Sequence, residues 1–291
     1  MAFVIISSLI DPASINIKDR LIEQSKWEEN DTFDKNPVFI NTNQKDVQLI
    51  TINNRKITRE NIDIEIEEKL NIKPKVVLFI SRHTSKMKKP TLTVHPIGNY
   101  GKAEFGGKPR TVVKSSPHLM TNLLRLIKKN YSKTNLEYEV CFEVTHHGPY
   151  LQKPTLFVEI GSTEKEWENK ESAAIIAKSI LELIQDKHYE EDYSKKIPVL
   201  MGVGGGHYAP RFTDIINERQ AVFGHMIPTY QINAGIIDEE MLDKTIASTP
   251  NLKGVYIHKK ALKKSQISEI KNCFLDRSIP VISSKDLPQL C

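Results

Sequence analysis

The sequence predicts a three-layer α/β fold, a mixed and mostly parallel sheet with helices on both faces. Three observations carry this. Short apolar runs rich in β-branched residues alternate with helical patterns along nearly the whole chain. Several of these runs are apolar throughout rather than at every second residue, as in strands buried on both faces. With 291 residues, 39% of them hydrophobic and 26% charged, the chain can bury a sizeable core, expected as one α/β domain over residues 1–291.

The first run is Phe3 to Ile10, after which Asp11-Pro12 supplies an N-cap and first-turn proline for a helix carrying Ile15, Leu21 and Ile22. Strand runs follow at Pro37–Asn41, Val47–Ile52 and Val76–Ser81. An irregular Gly-, Pro- and Lys-rich segment then extends from Arg82 to Lys114, interrupted by the Thr91–His95 run. Ser116-Pro117 opens a helix with Leu119, Leu123 and Ile127 on one face. Strands at Glu139–Val144 and Thr155–Ile160 precede a long helix introduced by the capping-box pattern Thr163-x-x-Glu166. Its 3.6-residue spacing should bury Ala173, Ile176, Ala177, Ile180, Leu181 and Ile184. Ile197–Val203, Ala221–Ile227, Val255–His258 and Pro280–Ser283 complete the strands, with helices near 211–219, 238–247 and 263–275.

Composition narrows the class. Lys and Arg number 41 against 36 Asp and Glu, a net charge of +5. The surplus is concentrated: between Arg82 and Lys114 lie eight basic residues against the single acid Glu104. Such a segment attracts a polyphosphate, or is simply a solvated loop. Three widely spaced cysteines (Cys141, Cys273, Cys291) without a C-x-x-C argue against a disulfide framework and a thiolate zinc site. Neither a signal peptide nor a membrane-length apolar run is visible, so a cytoplasmic protein, taken as a monomer without a membrane partner, is expected.

Sheets of this kind bind ligands beyond the carboxyl ends of their strands. Four runs end in residues able to do chemistry: His83, the His146-His147 pair, Gly161 and His207. Gly204-Gly205-Gly206-His207 through Pro210-Arg211 lies between a strand and a helix start, where glycines can turn backbone N–H groups toward an anion. His207 would add an acid–base group or metal ligand and Arg211 a phosphate contact. The alternative is that the glycines merely permit tight strand–helix packing. Histidine stands where the third glycine of a dinucleotide fingerprint would fall, which disfavours a nicotinamide cofactor. No flavin site is visible either.

Phe142-Glu143-Val144-Thr145-His146-His147-Gly148-Pro149 offers two histidines at a strand end and a carboxylate beside them, a donor set suited to zinc. Its plainer reading is a turn in which both rings bond to backbone. Ser81-Arg82-His83-Thr84-Ser85 brings a histidine and an arginine to one rim, or ends a strand in solvent. Glu159 sits inside an apolar run, so its charge must be balanced by a metal, a histidine, a substrate amino group or a structural arginine. His95 and His225 are as readily structural as functional, and His118, His188 and His258 look peripheral. No G-x-S-x-G elbow or other serine or cysteine nucleophile is apparent.

These motifs together carry a resemblance. Ser81-Arg82-His83-Thr84-Ser85, Gly98-Asn99-Tyr100-Gly101, Phe142 through Pro149, Gly204 through Arg211 and Gly224-His225-Met226 resemble, in order and over nearly the whole chain, the archaeal and plant type of D-aminoacyl-tRNA deacylase. The resemblance implies a core similar to the phosphorylase/peptidyl-tRNA hydrolase architecture, a zinc cofactor, and a translation-proofreading activity. That activity hydrolyses the ester joining a D-amino acid to the tRNA 3′ end. The expected metal ligands are His83, His146 and His147, and the expected catalytic residues are His207, Glu159 and Glu143. The expected tRNA contacts are Arg82, Lys86, Lys88, Lys89, Lys108, Arg110, Gly204, Gly205, Gly206 and Arg211. Two competing expectations remain: a nucleoside-phosphorylase-like transferase holding phosphate on the glycine loop, and an RNA-binding module without catalysis.

Overall fold

The computed structural model describes residues 2–186 and 197–290. Its elements, in chain order, begin with β1 (Ala2–Ser8), α1 (Pro12–Gln24), β2 (Trp27–Phe33), β3 (Asn36–Asn41), β4 (Val47–Ile52), α2 (Ile62–Leu70) and β5 (Pro74–Arg82). There follow β6 (Thr91–Pro96), the short pair β7 (Gly98–Asn99) and β8 (Thr111–Val112), α3 (Pro117–Tyr131), β9 (Glu139–Phe142) and β10 (Thr155–Gly161). The chain continues through α4 (Glu164–Trp167), α5 (Lys170–Gln185), β11 (Val199–Val203), α6 (Pro210–Glu218), β12 (Val222–Ile227) and α7 (Thr229–Asn233). It closes with α8 (Glu239–Ala247), β13 (Leu252–Ile257) and α9 (Lys264–Leu275).

The main sheet has eight strands in the order β2-β3-β4-β1-β5-β10-β6-β9. Its centre, β4-β1-β5-β10, is parallel, and β6 turns antiparallel against β10. A second, all-parallel sheet has the order β12-β11-β13. β1 is buried at all seven positions because alternate residues serve opposite layers. Phe3 and Ile5 join a core with Ala13, Ile17 and Leu21 of α1 and with apolar positions of α3 and α5. Val4 and Ile6 join Ile62 and Ile66 of α2 on the other face. The first core also takes in Leu200, Phe212 and Phe223, so it continues from the main sheet to the second.

Some boundaries differ from the sequence reading for local reasons. β2 is polar and mostly exposed, an edge strand without the apolar signal, held by a turn in which Asp34 and Lys35 both have positive φ. The short helices α2 and α7 also went unsignalled. The run expected to reach Val144 leaves the sheet after Phe142: the Val144 N–H donates instead to the His207 carbonyl, 3.0 Å away. The long helix breaks at Asn169, which caps α5 by accepting from the Ser172 N–H, and α4 stands apart with Glu166 turned back onto Thr163. Of the positions expected to be buried in α5, only Leu181 is half-exposed. Residues 280–283 form no strand but a single bridge, Val281 to Val255.

Asp11 ties these layers together at the edge of the later site. One carboxylate oxygen accepts from the Ser14 N–H and caps α1. The other accepts from the Arg82 N–H at 3.0 Å and from Lys56 Nζ at 2.5 Å, a pair with both side chains almost wholly buried. Burial presses the Lys56 ammonium below its ordinary range although Asp11 works against that. Removing Asp11 alone leaves a buried charge without a counter-charge. Asp11→Ala should therefore cost about 3–5 kcal/mol of stability in urea unfolding. The double variant Asp11→Ala/Lys56→Met should recover all but roughly 1–2 kcal/mol, the share of the helix cap.

Candidate active site

Five histidines and two glutamates converge where β5, β10 and β6 pass one another. The register places Glu159 of β10 beside Ser81 of β5 and Thr93 of β6, with Phe157 opposite His95. Alternation therefore sends Phe157, Glu159 and His95 to the same face of the sheet, the one carrying α2. His83 follows the end of β5, where its backbone N–H continues the ladder to the Ile160 carbonyl. Glu143 follows β9, tied by its N–H to the Val94 carbonyl. His146 pairs with Ile97 in an isolated bridge, and Glu143 pairs with Tyr208 in another, bringing His207 over the cluster. The group thus rests partly on a sheet face and is not built only beyond the strand ends.

The geometry centres on the carboxylates. Glu143 is 0% exposed and Glu159 3%. Glu143 lies 2.9 Å from His207 Nε2, 3.2 Å from His83 Nδ1 and 3.4 Å from His146 Nε2. Glu159 lies 3.3 Å from His83 Nδ1 and 3.7 Å from His95 Nε2. Neither Glu143 oxygen, nor His95 Nε2, has a partner in full hydrogen-bond alignment despite these short distances. Three rings share an orientation device: His95 Nδ1 faces the Pro96 carbonyl at 3.2 Å, His146 Nδ1 that of Val144 at 2.8 Å, and His147 Nδ1 that of Gly148 at 2.6 Å. A carbonyl on Nδ1 fixes the proton there and turns the Nε2 lone pair inward. His83 differs, with Nδ1 between the two carboxylates and Nε2 3.1 Å from the Tyr208 hydroxyl.

Proton affinities follow from this arrangement. Burial opposes charge on His83, but Glu159 and Glu143 outweigh it and raise the imidazole to about 9. Burial opposes charge on His95 as well, and Glu159 again carries it above its ordinary range. Burial would raise Glu159, yet its His83 and His95 neighbours hold it well below the usual carboxylate range; burial opposes ionisation of Glu143 too, but His207 and His83 keep it below its ordinary value. His147 is pushed down to about 4, and His146 well below its ordinary value, by burial and then by the charge of His95. His146 and His147, favoured neutral, and the two ionised carboxylates are already in the forms that bind a cation, whereas His95 would have to release a proton to do so.

Two three-residue sets bring ligand atoms within 4.8 Å of one another around Glu143 and His95: His95/His146/His147 and His83/Glu143/His207. A third, His95/Glu143/Glu159, bridges them. Among the described residues the expected set His83/His146/His147 does not come together. His95 stands with the His146-His147 pair, and His83 lies across Glu143. In the sequence His95 closes the short Thr91–His95 run and leads into a turn-rich loop, and nothing in that pattern tells a ligand from a structural histidine. His225 is the satisfied one: Nδ1 meets Thr145 Oγ1 at 3.0 Å, Nε2 meets the Val113 carbonyl at 2.9 Å, and burial lowers it to about 4.

A cavity of about 410 Å³ opens onto the cluster, lined by His83, His146, His147, His207 and Glu159 on one side and by Asp11, Arg55, Lys56 and Arg82 on another. Phe105, 64% exposed, stands at its rim with Ile10 and Ile57. Gly106 makes that position possible: at φ +73° it presses so closely on the Ile57 carbonyl that any Cβ would overlap it.

The remaining expected contacts fall elsewhere. Gly204 and Gly205 do not present free N–H groups. Gly204 donates to the Ile227 carbonyl and Gly205 to Thr229 Oγ1, both at 2.8 Å, because the loop is stitched to the end of β12 and the start of α7. The anion cradle on which a phosphate-holding transferase would rest is therefore not formed by these two residues. Nor would a Cβ at Gly205 block anything, its nearest neighbour being His258 Nδ1 at 3.7 Å; the strain of substitution comes from φ +104°. Gly206 lies on the same loop, while Arg211 points away from the cluster, its Nε on the Tyr256 hydroxyl at 2.9 Å.

Within the basic segment, Lys89 pairs with Glu139 and Arg110 with Asp238 and Glu240. Arg82 lies over the Trp167 ring and Lys108 over that of Tyr150. Lys86 and Lys88 carry no such partner among the described residues. His118 and His258 sit outside the cluster, and His188 lies outside the described residues.

Residues 70–282 match the D-aminoacyl-tRNA deacylase family model. A D-aminoacyl-tRNA deacylase of Pyrococcus furiosus is 38% identical over 257 residues, covering 87% of this chain and 89% of that protein. That of Pyrococcus horikoshii is 42% identical over 230 residues, covering 78% and 80%. A crystal structure of a conserved protein of unknown function superposes with a TM-score of 0.87 at 31% identity, over 100% of this chain and 99% of the other. All five clustered histidines and both glutamates fall within the matched stretch, and the chain belongs to the D-aminoacyl-tRNA deacylase family of enzymes.

Proposed function

We propose that this chain hydrolyses the ester bond of D-aminoacyl-tRNA at a divalent-metal centre, releasing free D-amino acid and tRNA. The observation that carries the metal is the pair of buried carboxylates. Ionised carboxylates beside inward-facing imidazole nitrogens make a donor set for a divalent cation, whose charge would take over the balancing now supplied by His83 and His95. The donors fit: three inward Nε2 atoms backed by carbonyls, with Glu143 oxygens and His95 Nε2 lacking aligned partners. His95, His146 and His147 would hold the ion, and imidazole with carboxylate suits zinc. A zinc ion would act as a Lewis acid on the ester carbonyl and make water a competent nucleophile near pH ~7.

The other residues then have separate work. Glu143, 2.9 Å from His207 Nε2, keeps that proton on Nε2 and leaves Nδ1 to take one. His207 is also the most open of the paired rings, with 38% of its side chain exposed. It can receive the proton of the attacking water and return it to the ribose oxygen as the ester breaks, while Glu143 balances the imidazolium. Glu159 forms part of the cavity wall and faces the amino group of the substrate. Arg55, Lys56 and Arg82 line the side that would meet the terminal phosphate, and Phe105 at the rim offers an aromatic face to the last base.

The deciding experiment incubates the protein with D-Tyr-tRNA and L-Tyr-tRNA, before and after chelation. D-Tyr-tRNA should be deacylated and L-Tyr-tRNA spared, with activity lost to chelator and restored by zinc. Full turnover in the chelated protein would remove the metal from this reading. Among the residues, His207→Ala should lower kcat by roughly 10²–10⁴-fold while metal content measured by atomic absorption is retained. His95→Ala, His146→Ala and His147→Ala should each lower metal content. His225→Ala should leave metal content intact and cost about 1–3 kcal/mol of stability by stranding the groups it bonds.

A further inference from the structure

A second cavity, of about 710 Å³, shares no lining residue with the first. It lies where β13 ends and α6 begins, with α9 along one side. Five of its lining side chains are permanent cations, Arg211, Lys259, Lys260, Lys271 and Lys285, against the single acid Asp214. Among the described residues none of the five forms an ion pair, unlike Lys89 and Arg110 of the 82–114 segment. Arg211 is braced: its Nε donates to the Tyr256 hydroxyl at 2.9 Å, its Nη2 approaches Ser284 Oγ at 3.4 Å, and its guanidinium lies 5.6 Å from the Tyr256 ring centre. A guanidinium held this way keeps its outer edge for an anion at little entropic cost. The field is felt nearby, since burial and then the charges of Arg211 and Lys260 press His258 below its ordinary range. The N-terminal end of α6, with Pro210 and Arg211 in its first turn, adds positive potential on the same side.

The two cavities are joined by one loop. His207 belongs to the first, and Pro210 and Arg211, three and four residues later, belong to the second. We infer that the second cavity binds phosphodiester groups of an RNA backbone, docking the tRNA while its aminoacylated end reaches the histidine cluster. The inference rests on the deacylase reading for the identity of the RNA, but not for the chemistry of the anion. Unpaired lysines beside a braced arginine neutralise successive phosphates without reading bases. Recognition of this kind is indifferent to tRNA sequence.

The test compares the wild type with Lys259→Ala/Lys260→Ala/Lys271→Ala in three measurements. The first is binding of uncharged tRNA against salt. Each lost phosphate contact should lower the salt slope by about one, so the variant should lose about three. The second is deacylation: KM for D-Tyr-tRNA should rise with kcat unchanged, while hydrolysis of the short ester D-tyrosyl-adenosine should be the same in both proteins. The third is thermal stabilisation by inorganic phosphate. An unchanged salt slope and KM would overturn the inference. So would phosphate stabilising only the wild type while tRNA binding stays the same, which would give the cavity to a free anion. Should neither protein cleave either ester, the deacylase reading fails, yet the tRNA-binding arm still decides whether the cavity holds RNA.

Discussion

The structure depends on how the charge of Glu143 and Glu159 is kept out of water. A lone buried carboxylate would take up a proton or unfold its surroundings; two within one cluster are tenable only with cations or donors on every side. Each neighbouring element contributes to that balance. β5 delivers His83 between the two carboxylates, β6 places His95 against Glu159, and the loop before α6 brings His207 to Glu143. The backbone carbonyls of Pro96, Val144 and Gly148 orient three rings so that their second nitrogens face inward. The antiparallel turn of β6 against β10 matters for the same reason. It sets His95 opposite Phe157 and so on the face already occupied by Glu159.

That concentration of polar groups is supported by an apolar frame. The Phe79 and Phe157 rings stack 4.6 Å apart beneath it, and Phe157 also contacts His95 and His147. Such packing excludes water from one side of the histidines and leaves the cavity as their opening. Pre-organised donors in a partly dry site interact more strongly with developing charge than the same groups in water. On the wall opposite, Asp11 holds Lys56 and the Arg82 backbone, so the cations nearest the cavity are anchored by a residue that also caps α1.

Charge along the chain and charge in space are different quantities here. The 82–114 segment has the densest run of basic residues, yet folding supplies many of them with partners: Glu139 for Lys89, Asp238 and Glu240 for Arg110, aromatic rings for Arg82 and Lys108. Such contacts are worth little individually at a surface, but they occupy the cation. A second group of cations without an acidic partner, Arg211 and the lysines at 259, 260, 271 and 285, is scattered in sequence and meets only where α6, β13 and α9 adjoin. The loop from Gly204 to Arg211 links both regions. Its glycine N–H groups are consumed in holding that loop to β12 and α7.

What the sequence by itself determined was whatever local periodicity and capping carry. The buried strands β1, β4, β5 and β10, the apolar faces of α3 and α5, the proline-opened starts of α1 and α3, and the strand–helix alternation that makes the sheet mostly parallel were all legible. So were the residues with chemistry at strand ends, because His83, His146, His147 and His207 stand where apolar runs stop. Tertiary structure alone decided which of them meet. His95 ends a short run before a turn-rich loop and His225 lies inside an apolar strand, yet nothing local distinguishes a ring bonded at both nitrogens from one with a nitrogen left for a ligand. The polar edge strand β2 and the single bridge at Val281 likewise depend on partners far along the chain. Whether a lysine is free or paired is a matter of distance between side chains, set by packing and invisible to spacing along the chain.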